Sequence, residues 1–293
     1  MRDEAVTGPR LPTFLIIGAQ KAATTSLWSA IRRHEQVYCP PNKEPRFFSP
    51  GAPMDRGKEW YASLFAAAGD AVAIGEASTT YTWYPLHGHV PERILAMLPD
   101  ARFVYVLRDP VERMRSAYLH AVSLGVETFH IGRALLWQSQ YLYPSMYAMQ
   151  IEQYLQYVDR SRLLLVSTRD FRKNRDETLR RVFTFIGVHP ELPLAPGSEQ
   201  DVNVGSDRRA PRAGSLWATR MMREGPLRRV VPPRWQFQAR QHPLLTKPIP
   251  EHDTKVHPET RARLLDVLRP DIARLREQAA GEISAAELDE WET

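Results

Sequence analysis

The chain of 293 residues is 43% hydrophobic and 25% charged, ordinary proportions for a globular protein able to bury a sizeable core. Its net charge of +5 favours anionic ligands but is too small to indicate a nucleic-acid partner. The single cysteine, Cys39, excludes an internal disulfide and a cysteine-built metal site, as suits a reducing compartment. The first ten residues lack the apolar core of a signal peptide, and no apolar run is long enough to span a bilayer. The expectation is a cytoplasmic protein without an integral membrane segment.

The first strong element is Phe14-Leu15-Ile16-Ile17, an apolar run that reads as a strand buried on both faces and ended by Gly18. A short turn carrying Lys21 leads to Thr24-Thr25-Ser26, which opens an amphipathic helix through Ile31. A strand, a tight turn and a helix start form an anion site, because the first-turn N–H groups lack intrahelical partners and the helix dipole favours negative charge. Lys21 adds a positive charge and the three hydroxyls add donors, so the segment reads as a phosphate cradle. The same residues equally describe a buried strand and a capped helix with Lys21 in water. A Walker A loop is excluded, since Lys21 comes three residues after Gly18 and Ala23 stands near the place of its second glycine.

Residues 37–39 read as a short strand, followed by Pro40-Pro41-Asn42-Lys43-Glu44-Pro45-Arg46-Phe47-Phe48, a proline-restricted loop with a carboxylate between two cations. A helix is predicted over 59–68 and a buried strand over 71–75, with Glu76 just beyond that strand, where open α/β sheets build their sites. A helix over 91–98 precedes a β-prone run over 102–108 that ends in Arg108. Asp109 and Pro110 then suit the cap and first turn of a helix that carries Ser116. Arg108 and Ser116 can therefore converge on one anion, the guanidinium supplying bidentate donors. Surface ion pairs are the alternative.

Further on, helices are predicted over 145–158, 174–186 and 259–278, with a buried strand over 162–167 and Gly187 as a C-terminal helix stop. Strands alternating with helices imply a mostly parallel, right-handed sheet. Residues 191–258 are proline-rich and poorly periodic, and 208–240 hold nine arginines against one acid, Glu224. This basic excursion is either solvated or a flap that meets an anionic ligand. Trp83, Tyr84, Trp137, Tyr141, Tyr143 and Tyr147 are candidates to line an acceptor cleft, or else belong to the core. The histidines are scattered, a Gly-x-Ser-x-Gly elbow and a Gly-x-Gly-x-x-Gly fingerprint are absent, and two phosphate-oriented elements remain.

Those elements carry a resemblance. Gly18-Ala19-Gln20-Lys21-Ala22-Ala23-Thr24-Thr25-Ser26-Leu27 is similar to the 5′-phosphosulfate loop of sulfotransferases that use 3′-phosphoadenosine 5′-phosphosulfate (PAPS). Arg108-Asp109-Pro110-x-x-Arg113-x-x-Ser116-x-Tyr118 resembles that family's 3′-phosphate motif, and Lys43-Glu44-Pro45-Arg46-Phe47-Phe48 resembles the segment holding the catalytic glutamate of heparan sulfate N- and 3-O-sulfotransferases. Gly75-Glu76-Ala77-Ser78, Val90-Pro91-Glu92-Arg93 and the ending at Trp291 also fit that branch, in a soluble bacterial form. Ala77 stands where the glycosaminoglycan enzymes often carry a substrate-contacting lysine, which points to a different acceptor. Ala23 replaces the common loop glycine, a replacement expected to be tolerated only if its φ stays negative.

The resemblance implies one α/β domain over 1–293, P-loop-like and three-layered (α/β/α) around a central parallel sheet, with 1–11 as a loose arm. It implies Glu44 as general base, Lys21 at the leaving 5′-phosphate, and Ala22, Ala23, Thr24, Thr25 and Ser26 around that phosphate. Arg108, Ser116 and an arginine such as Arg209 or Arg212 would hold the rest of the nucleotide, whose product form is 3′,5′-diphosphoadenosine (PAP). No metal is required, since Lys21 carries the charge that Mg²⁺ supplies in kinases. Glu76 would orient Lys21 or the acceptor, and His120 is the next candidate base. The acceptor would be a saccharide or small molecule. The rival readings are a small-molecule kinase using ATP and Mg²⁺ and a non-catalytic polyanion-binding module.

Overall fold

A computed structural model describes residues 10–51, 54–191, 209–212, 215, 242, 244–250, 252 and 254–293. In chain order, β1 (Phe14–Gly18), α1 (Thr24–Ile31), β2 (Val37–Tyr38), α2 (Gly57–Ser63), β3 (Ala73–Ala77), α3 (Val90–Met97) and β4 (Arg102–Leu107) come first. Helices α4 (Pro110–Ser123), α5 (Ile131–Trp137), α6 (Ser139–Leu142) and α7 (Tyr147–Leu155) precede β5 (Leu163–Ser167). Then follow α8 (Thr168–Lys173), α9 (Arg175–Ile186), β6 (Arg209–Pro211), β7 (Thr246–Pro248), α10 (Pro258–Gln278) and α11 (Ala285–Trp291).

The first five strands form one sheet in the order β2-β3-β1-β4-β5, every pair parallel. The chain is thus α/β around a central parallel sheet. Strands β1, β3 and β5 are buried along their whole length, which explains why β1 and β5 read as near-continuous apolar runs rather than alternating ones. Phe14 pairs with Gly75 in register, and a Cβ on Gly75 would stand 2.1 Å from the Phe14 ring, so the glycine makes room for that ring. The chain leaves β1 towards β2 on one side and β4 towards β5 on the other. The C-terminal ends of β1 and β4 therefore flank a topological switch point, the usual crevice for a ligand in open α/β sheets.

Two compact units divide the described residues. The first lies within Met1–Pro110, Met146–Asn203 and Arg269–Thr293, and contains the five-stranded sheet. Within it, Asp271 accepts the N–H groups of Ala148 and Met149 at 3.0 and 2.9 Å, which caps the start of α7. The second lies within Val111–Ser145 and Val204–Leu268. It has its own buried residues, among them Met114, Tyr118, Leu135, Leu264 and Leu268, and a fully buried Arg113 that donates to Ser145 Oγ and the Tyr141 carbonyl. No helix of the described residues is long and apolar enough to cross a membrane.

Several boundaries differ from the sequence reading. β3 begins two residues later than expected, so Glu76 lies inside the strand and not after it. Val72 is left half exposed, and this tertiary placement overrides its β propensity. α2 ends at Ser63, and the helix expected over 145–158 is a 3₁₀ turn at Tyr143–Ser145 followed by the shorter α7. Gly187 stops α9 in the left-handed region, φ 84°, as expected. Within the basic excursion, β6 and β7 pair antiparallel, a pairing that its irregular composition concealed. Its residues 192–208, and most of 213–243, lie outside the described ones.

Candidate active site

The turn after β1 is built by close approaches. A Cβ on Gly18 would stand 2.1 Å from Thr82 Oγ1, so a side chain there would collide with the residues behind the strand. Ala22 N–H closes the turn on the Ala19 carbonyl at 3.1 Å, and the helical bonds start with Leu27 N–H to the Ala23 carbonyl at 3.1 Å. The N–H groups that precede this bond lie at the N-terminus of α1, where the dipole favours an anion. Lys21 sits in the turn with φ 70°, and Ala23, the N-cap, has φ 61°. The expectation that alanine is tolerated here only with a negative φ is therefore wrong. The alanine adopts the left-handed conformation that glycine usually serves, at a cost of about 1–2 kcal/mol. The tight return from strand to helix imposes it.

The loop bearing Glu44 docks beside this turn. Glu44 N–H donates to the Ala77 carbonyl at 2.9 Å and Arg46 N–H to Ser78 Oγ at 2.9 Å, which fastens the loop to the end of β3. Phe47 stacks on Tyr61 at 4.5 Å between ring centroids, anchoring the loop from below. Glu44 is one-quarter exposed and accepts from Arg46 Nε at 3.0 Å, Arg46 Nη2 at 2.5 Å and Thr79 Oγ1 at 3.2 Å. Lys43 Nζ lies 4.0 Å from it. A carboxylate that is reachable from solvent yet oriented by three donors is suited to accept a proton.

Glu76 is a different carboxylate. It is fully buried, and neither of its oxygens has a hydrogen-bond partner of good geometry. Burial pushes it up to about 7, partly offset by the nearby Tyr81, Tyr61 and Ser78 hydroxyls and reinforced by the charge on Glu44. Burial and the adjacent carboxyl likewise raise Tyr61 and Tyr81 well above the usual phenol range. The folded state holds the Glu76 proton between its unfolded value of 4.5 and about 7, so stability falls as pH rises through that window and stays reduced above it. Glu76→Gln is expected to flatten this fall by about 3 kcal/mol. Urea unfolding of both proteins at pH 5 and pH 8 measures it, and parallel changes in the two would contradict the assignment.

Arg108 follows β4 directly. Tyr147 OH donates to its carbonyl at 2.8 Å, and its own Nη1 donates to the Lys21 carbonyl at 3.3 Å. Thr168 Oγ1, on α8, reaches both the Leu107 carbonyl at 2.7 Å and the Ala22 carbonyl at 3.1 Å, joining the two loops across the switch point. The structure thus brings together Lys21, Ala22, Ala23, Thr24, Thr25, Ser26, Glu44 and Arg108 within the first unit. Arg108 and Thr168 also line a cavity of about 370 Å³ with Arg169, Arg172, Lys173 and Trp291. Ser116 and His120 lie on α4 in the second unit, as does Arg212, which is exposed after β6 with its N–H on the Leu245 carbonyl at 2.9 Å. Arg209 donates to Thr246 Oγ1 at 2.9 Å.

Among the aromatics, Tyr141 and Tyr147 are buried and belong to the core, so neither lines a cleft. Trp137, at 82% exposure, is the opposite case. Sequence reasoning missed α8 and the contacts of Lys43. Ser167, whose hydroxyl accepts the N–H groups of Arg169 and Asp170, was the available sign of a helix start at 168.

Residues 70–191 match the profile of the sulfotransferase family. The chain is 29% identical over 206 residues to the mouse bifunctional heparan sulfate N-deacetylase/N-sulfotransferase 4, covering 63% of this chain and 23% of that protein. It is 30% identical over 192 residues to human heparan sulfate glucosamine 3-O-sulfotransferase 6, covering 61% of this chain and 53% of that one. The chain therefore spans about a quarter of the length of the first and half of the second. A sulfotransferase crystal structure from Alicyclobacillus acidocaldarius has the same fold, with TM-score 0.70 over 97% of this chain and all of that one, at 22% identity.

Proposed function

We propose that the chain, which matches the sulfotransferase family over residues 70–191, is a sulfotransferase that moves a sulfuryl group from PAPS to an acceptor hydroxyl or amine on a saccharide, glycolipid or other small molecule. The observation that carries this reading is the meeting of two loops at the switch point. The turn with Lys21 follows β1, and Arg108 follows β4 and donates to the Lys21 carbonyl at 3.3 Å. A nucleotide phosphorylated at both its 5′ and 3′ positions suits two such basic arms, whereas a singly phosphorylated end needs one. For Ser116 and Arg212 the proposed role is the one the resemblance implies, as further donors to the nucleotide.

In the reaction, an acceptor oxygen forms a new S–O bond while the bond between sulfur and the 5′-phosphate oxygen breaks. Glu44 takes the acceptor proton, and Arg46 and Thr79 keep its carboxylate oriented. The leaving electron pair stays on the phosphate oxygen, where Lys21 and the α1 N-terminus stabilise the growing charge. Ala22, with its N–H already on Ala19, shapes the turn, and Thr24, Thr25 and Ser26 supply donors. Because the relatives' names carry heparan sulfate, saccharides come first among acceptors to test. Incubation of a saccharide and small-molecule panel with PAPS, read by mass, is expected to give a sulfated acceptor and an equal amount of PAP. Phosphorylated products that require ATP and Mg²⁺ in the same panel would overturn the reading.

A further inference from the structure

Lys43 takes no part in the mechanism above, yet it sits between the two halves of the site. Its ammonium donates to Thr24 Oγ1 at 2.9 Å and Thr25 Oγ1 at 3.0 Å, the hydroxyls that open α1. The same ammonium is 4.0 Å from Glu44 Oε1. One side chain therefore bridges the phosphate cradle and the base. It is only 13% exposed, and burial pushes it down to about 8, with Glu44 opposing that shift and Arg46 adding to it. Helix α1 carries no charged residue, and Lys21 lies in the turn before it.

The Glu44 loop needs such a tie. Glu44 has φ 62° and Arg46 φ 54°, conformations that disfavour an L residue by about 1–2 kcal/mol each. The backbone bonds to Ala77 and Ser78 hold the loop to β3, and Lys43 holds it to the β1–α1 side.

We propose that Lys43 is a positioning residue that couples occupation of the 5′-phosphate cradle to the placement of Glu44. The inference rests on the sulfotransferase reading. A phosphate that accepts the protons of Thr24 and Thr25 leaves their lone pairs to Lys43 and polarises the hydroxyls into better acceptors. It also supplies counter-charge to an ammonium that burial has partly stripped of water. Both effects strengthen the Lys43 bonds and hold the strained loop. By linkage, the held loop raises affinity for the phosphate by the same factor. The base is set once the donor has arrived.

Hydrogen–deuterium exchange of residues 43–48, with and without PAP, tests this in the full chain, alongside calorimetric PAP binding. In the wild type, PAP is expected to slow exchange of the loop about five- to tenfold. In Lys43→Met, PAP should bind about tenfold more weakly and leave loop exchange unchanged. Lys43→Gln, which keeps a polar chain, should behave the same way and serves if the methionine variant melts early. Wild-type-like slowing in both variants, or no slowing in the wild type, overturns the coupling and leaves the sulfuryl-transfer reading intact. Failure of the wild type to bind PAP removes both.

Discussion

Glu44→Gln is expected to lower single-turnover sulfuryl transfer about 10²- to 10⁴-fold while leaving PAP affinity within about threefold, the signature of losing the proposed general base. The amide keeps the shape of the side chain and can still accept from Thr79, so the loop geometry survives. It cannot take the acceptor proton. The variant does lose the ion pair with Arg46, whose Nη2 lies 2.5 Å from Glu44 Oε2. Because Arg46 is half exposed, that pair contributes little to stability, and the melting temperature should move by no more than a few degrees. Turnover within about threefold of wild type would remove Glu44 from the base role and turn attention to His120.

The second large effect belongs to Lys21. Lys21→Met is expected to lower kcat about 10²- to 10³-fold with a smaller change in KM, because the charge it meets grows mainly as the S–O bond breaks. Methionine shares the penalty of an L residue at φ 70°, so the comparison isolates the ammonium from the backbone. Lys21→Gly would confound the two. A change confined to KM would mean that Lys21 binds donor and transition state equally, and would contradict the proposed role at the leaving oxygen.

The frame of the molecule was readable because its strands are strongly marked. Residues 14–17, 103–107 and 163–166 are unbroken runs of apolar and aromatic residues, of the kind that a sheet buried on both faces requires. Gly18, Pro110 and Gly187 punctuate the chain where the elements turn. The residues of the two anion-directed loops were legible for the same reason: each follows a strand end. What stayed hidden depends on tertiary contact. Nothing in the identities of Lys21, Glu44 or Arg46 signals a positive φ, which the docking of their loops imposes. The bonds from Lys43 to Thr24 and Thr25 join residues 19 and 18 positions apart and have no periodic signature. Helix α8 has six residues, too short for a helical stripe. Tyr141 and Tyr147 could have served a cleft or a core, and only packing decides.

The central claim is that one nucleotide carrying phosphate at both ends lies between Lys21 and Arg108. Calorimetric titration with PAP, 5′-AMP and ATP with Mg²⁺ tests it most directly. PAP is expected to bind about 10- to 100-fold more tightly than 5′-AMP, the worth of one charge-assisted contact to the 3′-phosphate, and Arg108→Ala should erase most of that difference. Equal affinities for PAP and 5′-AMP, or tighter binding of ATP with Mg²⁺, would contradict the account.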